Sequence, residues 1–266
     1  VHGDFAQKGS ERILFEGDDQ SKLGGKIPAG HQGGAIHFGD DGKLYVAIGD
    51  QTAGDPSQRL DTLQGKLLRI NPDGTIPADN PFADSAKGKY RAIWALGLRN
   101  PFTFAVHPGT GRMLINDVGE TRWEEINEGV AGANFGWPLA EGPSSDPRFR
   151  APIHYYPVAS VSGGAFCPSG PANGFPPRYR DRYFFADFVK GWVKTLDPDR
   201  PSQAETFATG LSRPVDLKFA PDGSLYVLLR DAWVKDRNFR PSTGSLQRIV
   251  YHSPQPAEAR RHPTLP

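Results

Sequence analysis

The 266-residue sequence predicts an all-β fold and, within that class, a β-propeller. Three observations carry this. A turn followed by a short apolar run recurs along the chain, long apolar stretches of helical period are lacking, and the 31 Gly and 25 Pro are dispersed between the runs. Together Gly and Pro make up about a fifth of the chain, below the share that marks low-complexity disorder.

In chain order, Arg12-Ile13-Leu14-Phe15-Glu16 reads as a lone first strand. The first clear repeat runs from Phe38 to Asp50, with the turn Asp41-Gly42 leading into Leu44-Tyr45-Val46-Ala47-Ile48. A looser copy runs from Val106 to Asp117 around Thr110-Gly111, a degenerate one from Tyr179 to Asp187, and a second clear one from Phe219 to Asp231 around Asp222-Gly223. Asp-Gly and Thr-Gly supply residues that tolerate positive φ in tight turns. The turn positions Gly42, Gly111, Asp181 and Gly223 are 69, 70 and 42 residues apart. Further strands are read between them, at Gly65–Ile70, Trp192–Leu196 and Gly244–Val250. Their nearly continuous apolar character implies burial on both faces, as in stacked blades, although a stacked sandwich shares these local signals. About four repeats are found in units long for blades. The expectation is a propeller over residues 1–252 that lacks its N-terminal blades, followed by a proline-rich tail or linker at 253–266.

Totals exclude several classes. Lys and Arg number 31 against 30 Asp and Glu, a net charge of +1 that gives no overall nucleic-acid footprint, although Arg260-Arg261 is locally basic. The single Cys167 rules out an intramolecular disulfide and a cysteine zinc site. No run of 18 apolar residues predicts a membrane span, and Val1-His2-Gly3-Asp4-Phe5 does not read as a signal peptide.

Three stretches offer chemistry. His31-Gln32-Gly33-Gly34 precedes a strand, where a loop opens on the propeller axis. A histidine there suits general-base work, and its glycines would admit a flat ligand, although a histidine beside glycines is also an ordinary loop residue. In Gly97-Leu98-Arg99-Asn100-Pro101, a guanidinium and an amide sit on a proline-fixed segment and could hold a carboxylate or quinone oxygen. A salt bridge between blades would use the same residues. Asp117 to Asn127, with Asn134-Phe135-Gly136-Trp137-Pro138 after it, collects hard oxygen donors suited to Ca²⁺, or equally forms a solvated acidic loop.

Taken together, these stretches resemble the soluble pyrroloquinoline quinone (PQQ)-dependent sugar dehydrogenases, the glucose/sorbosone dehydrogenase family, and within it the aldose sugar dehydrogenases. The resemblance also rests on Leu63-Gln64-Gly65-Lys66-Leu67-Leu68-Arg69-Ile70 and on Asp73-Gly74-Thr75-Ile76-Pro77-Ala78-Asp79-Asn80-Pro81-Phe82. It implies a six-bladed propeller of which this chain holds about four blades, with PQQ over the channel and Ca²⁺ beside it. It also implies oxidation of the C1 hydroxyl of an aldose to the lactone, with an electron acceptor that it does not specify, in the periplasm or outside the cell. His31 would be the general base, with Arg99 catalytic beside it. His31, Arg99, Asn100, Arg213 and Lys190 would bind the cofactor. The carbonyls of Gly119 and Glu120 would hold its calcium, and Glu125 with the carbonyl of Phe135 a structural one. Three positions depart from the pattern: Glu120 replaces a proline, Val215 a second arginine, and Val189 a lysine for which Lys190 is the neighbouring substitute. These departures leave room for a non-catalytic propeller that binds a carbohydrate or protein partner. A calcium-dependent lactonase is the third reading.

Overall fold

The computed structural model describes residues 5–22, 30–170, 174–231 and 243–251. Among these run fifteen strands, and the helical segments are short 3-10 turns. The strands form four antiparallel sheets in chain order. Sheet one holds β1 (Gly33–Phe38), β2 (Leu44–Ile48), β3 (Lys66–Ile70) and β4 (Ile93–Leu96). Sheet two holds β5 (Pro101–Val106), β6 (Met113–Asp117), β7 (Trp123–Gly129) and β8 (His154–Pro157). Sheet three holds β9 (Val161–Phe166), β10 (Tyr183–Asp187), β11 (Trp192–Leu196) and β12 (Ala204–Thr209). Sheet four holds β13 (Pro214–Phe219), β14 (Leu225–Leu229) and β15 (Ser245–Ile249). Strands adjacent in sequence are adjacent in each sheet, which is the meander of a propeller blade.

The two-residue period of a strand explains the stacking. In β10, Tyr183 and Phe185 pack against Ala105, Leu114 and Ile126 of sheet two. The alternate residues Phe184 and Ala186 pack against Leu217, Leu225 and Val227 of sheet four. Tyr45 and Leu67 meet Phe104 and Ile115 between sheets one and two. Strands β3, β6 and β10 are therefore buried at every residue, and a one-residue slip would exchange their two apolar faces. Each fully buried side chain of this size contributes about 1.5–3 kcal/mol. Four sheets stacked in series replace the two facing sheets of a sandwich.

The first strands β1, β5, β9 and β13 adjoin in that order, and His37, Ala105, Gly164 and Leu217, one from each, line a central cavity of 360 Å³. Hydrogen bonds tie neighbouring first strands: Thr103 Oγ1 donates to the Ser162 carbonyl at 2.6 Å, and Ser162 Oγ to the Pro214 carbonyl at 2.6 Å.

Two expectations are corrected. Residues 12–16 form no strand; Phe15 instead packs on the outer face of sheet one with Leu63, Leu68 and Ile70. The stretch from Asp117 to Asn127 is not one acidic loop, because Asp117 ends β6 and Trp123–Asn127 lies in β7, with Asp117, Glu124, Glu125 and Asn127 all buried. The tail expected at 253–266 lies outside the described residues. Among those described, no helix is long and apolar enough to cross a membrane.

Candidate active site

At one end of the stack, the segments entering the first strands meet the loops that leave the second strands. His31 stands there with φ 52°, two residues before β1. Its Nδ1 lies 2.7 Å from Oδ1 of Asp50, just beyond β2. Asp50 is 1% exposed, and it also accepts the Thr52 N–H at 2.8 Å and the Trp137 Nε1–H at 2.8 Å. Burial works to raise the Asp50 carboxyl. The hydrogen bonds from His31, Thr52 and Trp137 outweigh it and hold the group below the ordinary range. A carboxylate only accepts, so Nδ1 of His31 carries a proton, and in the neutral ring Nε2 holds the lone pair. Nε2 takes no hydrogen bond from the described residues, and the side chain is 23% exposed. The glycines after His31 serve the backbone. A Cβ on Gly33 would lie 2.7 Å from the Ala47 carbonyl oxygen, so this glycine answers to β2 rather than to a ligand.

Arg99 is joined to the same cluster. Its carbonyl accepts the Asp50 N–H at 2.7 Å, and its guanidinium lies 5.3 Å from the Trp137 ring centroid. Asp117 fixes the backbone, accepting the N–H of Arg99 at 3.0 Å and that of Asn100 at 2.6 Å. Nη1 of Arg99 donates to the carbonyls of Val118 at 3.0 Å and Gly119 at 2.7 Å, while Nε is buried without an acceptor. An orphaned guanidinium N–H fits a ligand oxygen, and no ion pair among the described residues uses it. The side-chain amide of Asn100 makes no hydrogen bond there either.

Behind Arg99 lies a buried acidic face. Asp117 and Glu125 are opposite each other on β6 and β7. Burial pushes both carboxyls up, Asp117 well up with Glu125 adding to the effect. The Gly142 N–H and Asn127 Nδ2 donate to Glu125, and the Oδ1 of Asn127 is buried without a partner. This oxygen-rich donor set suits a hard cation. No three His, Cys, Asp or Glu side chains among the described residues form a metal cluster. Gly119 presents its carbonyl to Arg99, Glu120 is exposed, and Phe135 is buried with its N–H on the Leu96 carbonyl.

Arg213 enters β13 at the same end of sheet four, with φ 50° and Nη1 on the Asp231 carbonyl at 2.7 Å. Lys190 is exposed, with its N–H on Asp187 at 2.7 Å. Among the described residues, no hydrogen bond or ion pair joins either residue to His31 or Arg99.

Asp50 and Trp137 join the cluster around His31 although the motifs did not single them out as site residues. A signal existed: each repeat closes on an aspartate, Asp50, Asp117, Asp187 or Asp231, and each reaches back to the segment entering the first strand of its own sheet. Trp137 is placed by a distant lock, because Gln58 Nε2 donates to the Trp137 carbonyl at 2.7 Å and pairs with Asn134.

The sequence profile described as Glucose / Sorbosone dehydrogenase matches residues 10–234. Aldose sugar dehydrogenase YliI of Escherichia coli K12 is 31% identical over 218 residues, covering 74% of this chain and 57% of its own. Quinoprotein glucose dehydrogenase B of Acinetobacter calcoaceticus is 37% identical over 187 residues, covering 62% of this chain and 38% of its own. Among solved structures, a putative oxidoreductase (glucose dehydrogenase) of Thermus thermophilus superposes with a TM-score of 0.70 at 31% identity, covering 83% of this chain and 65% of its own. The PQQ-bound aldose sugar dehydrogenase of Streptomyces coelicolor shares the fold at a TM-score of 0.69 and 24% identity, covering 83% of this chain and 62% of its own. The chain spans little more than half of its first curated relatives, 57% and 56% of their lengths. With its propeller sheets and a profile match over most of its length, the chain belongs to the glucose/sorbosone dehydrogenase family.

Proposed function

We propose that this chain carries the reaction site of a PQQ- and Ca²⁺-dependent aldose dehydrogenase. The observation that carries the reading is the His31–Asp50–Trp137–Arg99 cluster, with one imidazole nitrogen that has no partner among the described residues and one buried guanidinium N–H without an acceptor. Nε2 of His31 takes the proton of the sugar C1 hydroxyl, and Asp50 holds the ring in the required tautomer and stabilises the imidazolium. Arg99, with its guanidinium 5.3 Å from the Trp137 ring centroid, would offer Nε to a quinone oxygen, and Asn100 its amide beside it. When bound, PQQ supplies the hydride acceptor, so that C1 becomes the lactone carbonyl as the quinone is reduced. The carbonyls of Gly119 and Glu120 would hold the cofactor calcium; Glu125 and the carbonyl of Phe135 would hold a structural one, with Arg213 and Lys190 at the cofactor's rim. The relatives' names, quinoprotein glucose dehydrogenase and aldose sugar dehydrogenase, support the substrate class. Action in the periplasm or outside the cell is part of this reading.

The test is reconstitution of the chain with PQQ and Ca²⁺, followed by dye reduction with a panel of aldoses. Reduction that His31→Ala lowers at least a hundredfold supports the reading. Calorimetry that detects no PQQ binding overturns it, in favour of a binding module.

A further inference from the structure

We propose that Glu141 is a positioning residue for this site: its carboxylate gathers the amides of Glu120–Trp123 and so fixes the 118–120 segment, whose Val118 and Gly119 carbonyls face Arg99 and whose Gly119 and Glu120 carbonyls would hold the hard cation. The inference rests on the reading just given. The loop leaves β6 at Asp117 and enters β7 at Trp123. One oxygen, Glu141 Oε1, accepts the N–H groups of Glu120 at 2.8 Å, Thr121 at 3.0 Å, Arg122 at 3.0 Å and Trp123 at 3.2 Å. Thr121 Oγ1 donates to the second oxygen at 3.2 Å. Four consecutive amides thus end on one carboxylate, a concave arrangement of N–H groups that otherwise binds free anions.

With the amides gathered on one side, the carbonyls of Val118 and Gly119 turn to the other, where Nη1 of Arg99 takes both. The curl is tight: a Cβ on Gly119 would lie 1.8 Å from the Trp123 carbonyl oxygen and 2.8 Å from Glu141 Oε1. Next along the chain, the Gly142 N–H donates to Glu125, so residues 141 and 142 pin both the loop and the acidic face behind it. This explains how Glu120 replaces the proline that the resemblance expects. A proline restricts φ and has no N–H, whereas Glu120 has an N–H and a free φ, and Glu141 uses the first to restrain the second. Nothing in the sequence marks Glu141, which lies 21 residues beyond Glu120 in a different loop.

Two measurements on the whole chain test this. Calcium alone is titrated calorimetrically into the parent, Glu141→Ala, Glu141→Gln and Glu141→Asp, and amide hydrogen exchange is followed at residues 120–123. Glu141→Ala is expected to speed exchange of these amides at least tenfold and to weaken calcium about ten- to hundredfold. Glu141→Gln keeps the accepting oxygen and is expected to recover most of the affinity. Glu141→Asp, one methylene short, is expected to behave as the alanine variant does, and it stands in if that variant does not fold. Parental calcium affinity in the truncated variants overturns the proposal, as does unchanged exchange. Failure of Glu141→Gln to rescue also overturns it, because charge rather than placement would then be at work. A parent that binds no calcium sinks the preceding reading instead, and the exchange rates alone then decide whether the clamp exists.

Discussion

Asp50 and Asp187 sit at the same end of sheets one and three, 1% and 0% exposed, and each fastens the segment that enters the first strand of its own sheet. Asp187 spends both oxygens on the scaffold: the Tyr156 hydroxyl at 2.8 Å and the N–H groups of Ser160 at 3.1 Å, Val189 at 2.9 Å and Lys190 at 2.7 Å. Asp50 does the same work through Thr52 and Trp137, but its remaining partner is an imidazole with a second nitrogen left over. The fold repeats a fastening, and chemistry arises where the fastened residue carries another functional atom. Asp117 is a second instance, since it holds the backbone of Arg99 and leaves the guanidinium to the site.

The largest expected effect inverts the two aspartates. With PQQ and Ca²⁺ supplied, Asp50→Asn should lower kcat about a thousandfold by releasing the His31 tautomer, with little change in Tm. Asp187→Ala should cost about 3–5 kcal/mol in urea unfolding and leave the kcat of the folded protein near parental, because four donors lose their one buried acceptor. Steady-state kinetics and unfolding of the same two variants decide it. Matching losses in both assays would abolish the distinction drawn here.

The connections above the two sheets differ in the same sense. Between β10 and β11 only residues 188–191 intervene, whereas 49–65 lie between β2 and β3. The long connection is held by Lys66, fully buried, whose ammonium donates to the carbonyls of Pro56 at 2.9 Å, Ser57 at 3.0 Å and Gln64 at 2.5 Å. Lys66→Met should cost about 3 kcal/mol by removing three buried hydrogen bonds from an ammonium, with the Gln64 carbonyl losing its donor, and should disturb Trp137 through Gln58. Chemical denaturation with tryptophan fluorescence reads both effects. The equivalent short turn of sheet three has no such dependence.

How much of this was legible follows from which physical signals are local. The middle strands β2, β6, β10 and β14 announce themselves through turn chemistry and apolar runs, and β3 and β11 through apolar runs alone; β15 is a strand as expected, but it is exposed from Ser245 to Arg248 rather than buried on both faces. The first strands open on Gly33, Pro101 and Pro214, and β1 is only half-buried, so neither propensity nor period marks them. The arginine and histidine were readable from composition beside glycine and proline. Asp50, Trp137 and Glu141 were not, because their roles exist only through contacts made 19, 87 and about 20 residues away.

Glu124, a buried carboxylate with no imidazole or indole partner, should behave in the opposite way with pH. Glu124 takes the N–H groups of Ala159 at 2.9 Å and Val161 at 2.8 Å, joining sheet two to the entry of β9, and burial pushes its carboxyl up to about 7. Because the folded value lies above the unfolded one of 4.5, the folded protein binds more protons between about 4.5 and 7. This contribution is complete below 4.5 and is lost as pH rises through about 7, a change of about 3 kcal/mol at most. Asp50, held low, contributes with the reverse sign and only in more acid solution. Urea unfolding at pH 5 and pH 7.5 should show parental stability falling across that interval, and in Glu124→Gln the fall should shrink. An unchanged slope would mean that other groups set the pH dependence.

The smallest expected effect isolates the link between the two halves of the site. Trp137→Phe keeps a ring beside Arg99 but removes the N–H that holds Asp50 Oδ2. The lost hydrogen bond, to a buried charged acceptor, is worth about 1.5 kcal/mol, or roughly tenfold. If Asp50 works through His31, that loss should appear in kcat and leave KM for the sugar nearly unchanged, since the ring over Arg99 survives. If the loss appears in KM alone, Trp137 serves the ligand surface and the fastening of Asp50 is complete without it. The indole would then belong with the scaffold partners of Asp187, and His31 alone would separate the two sheets.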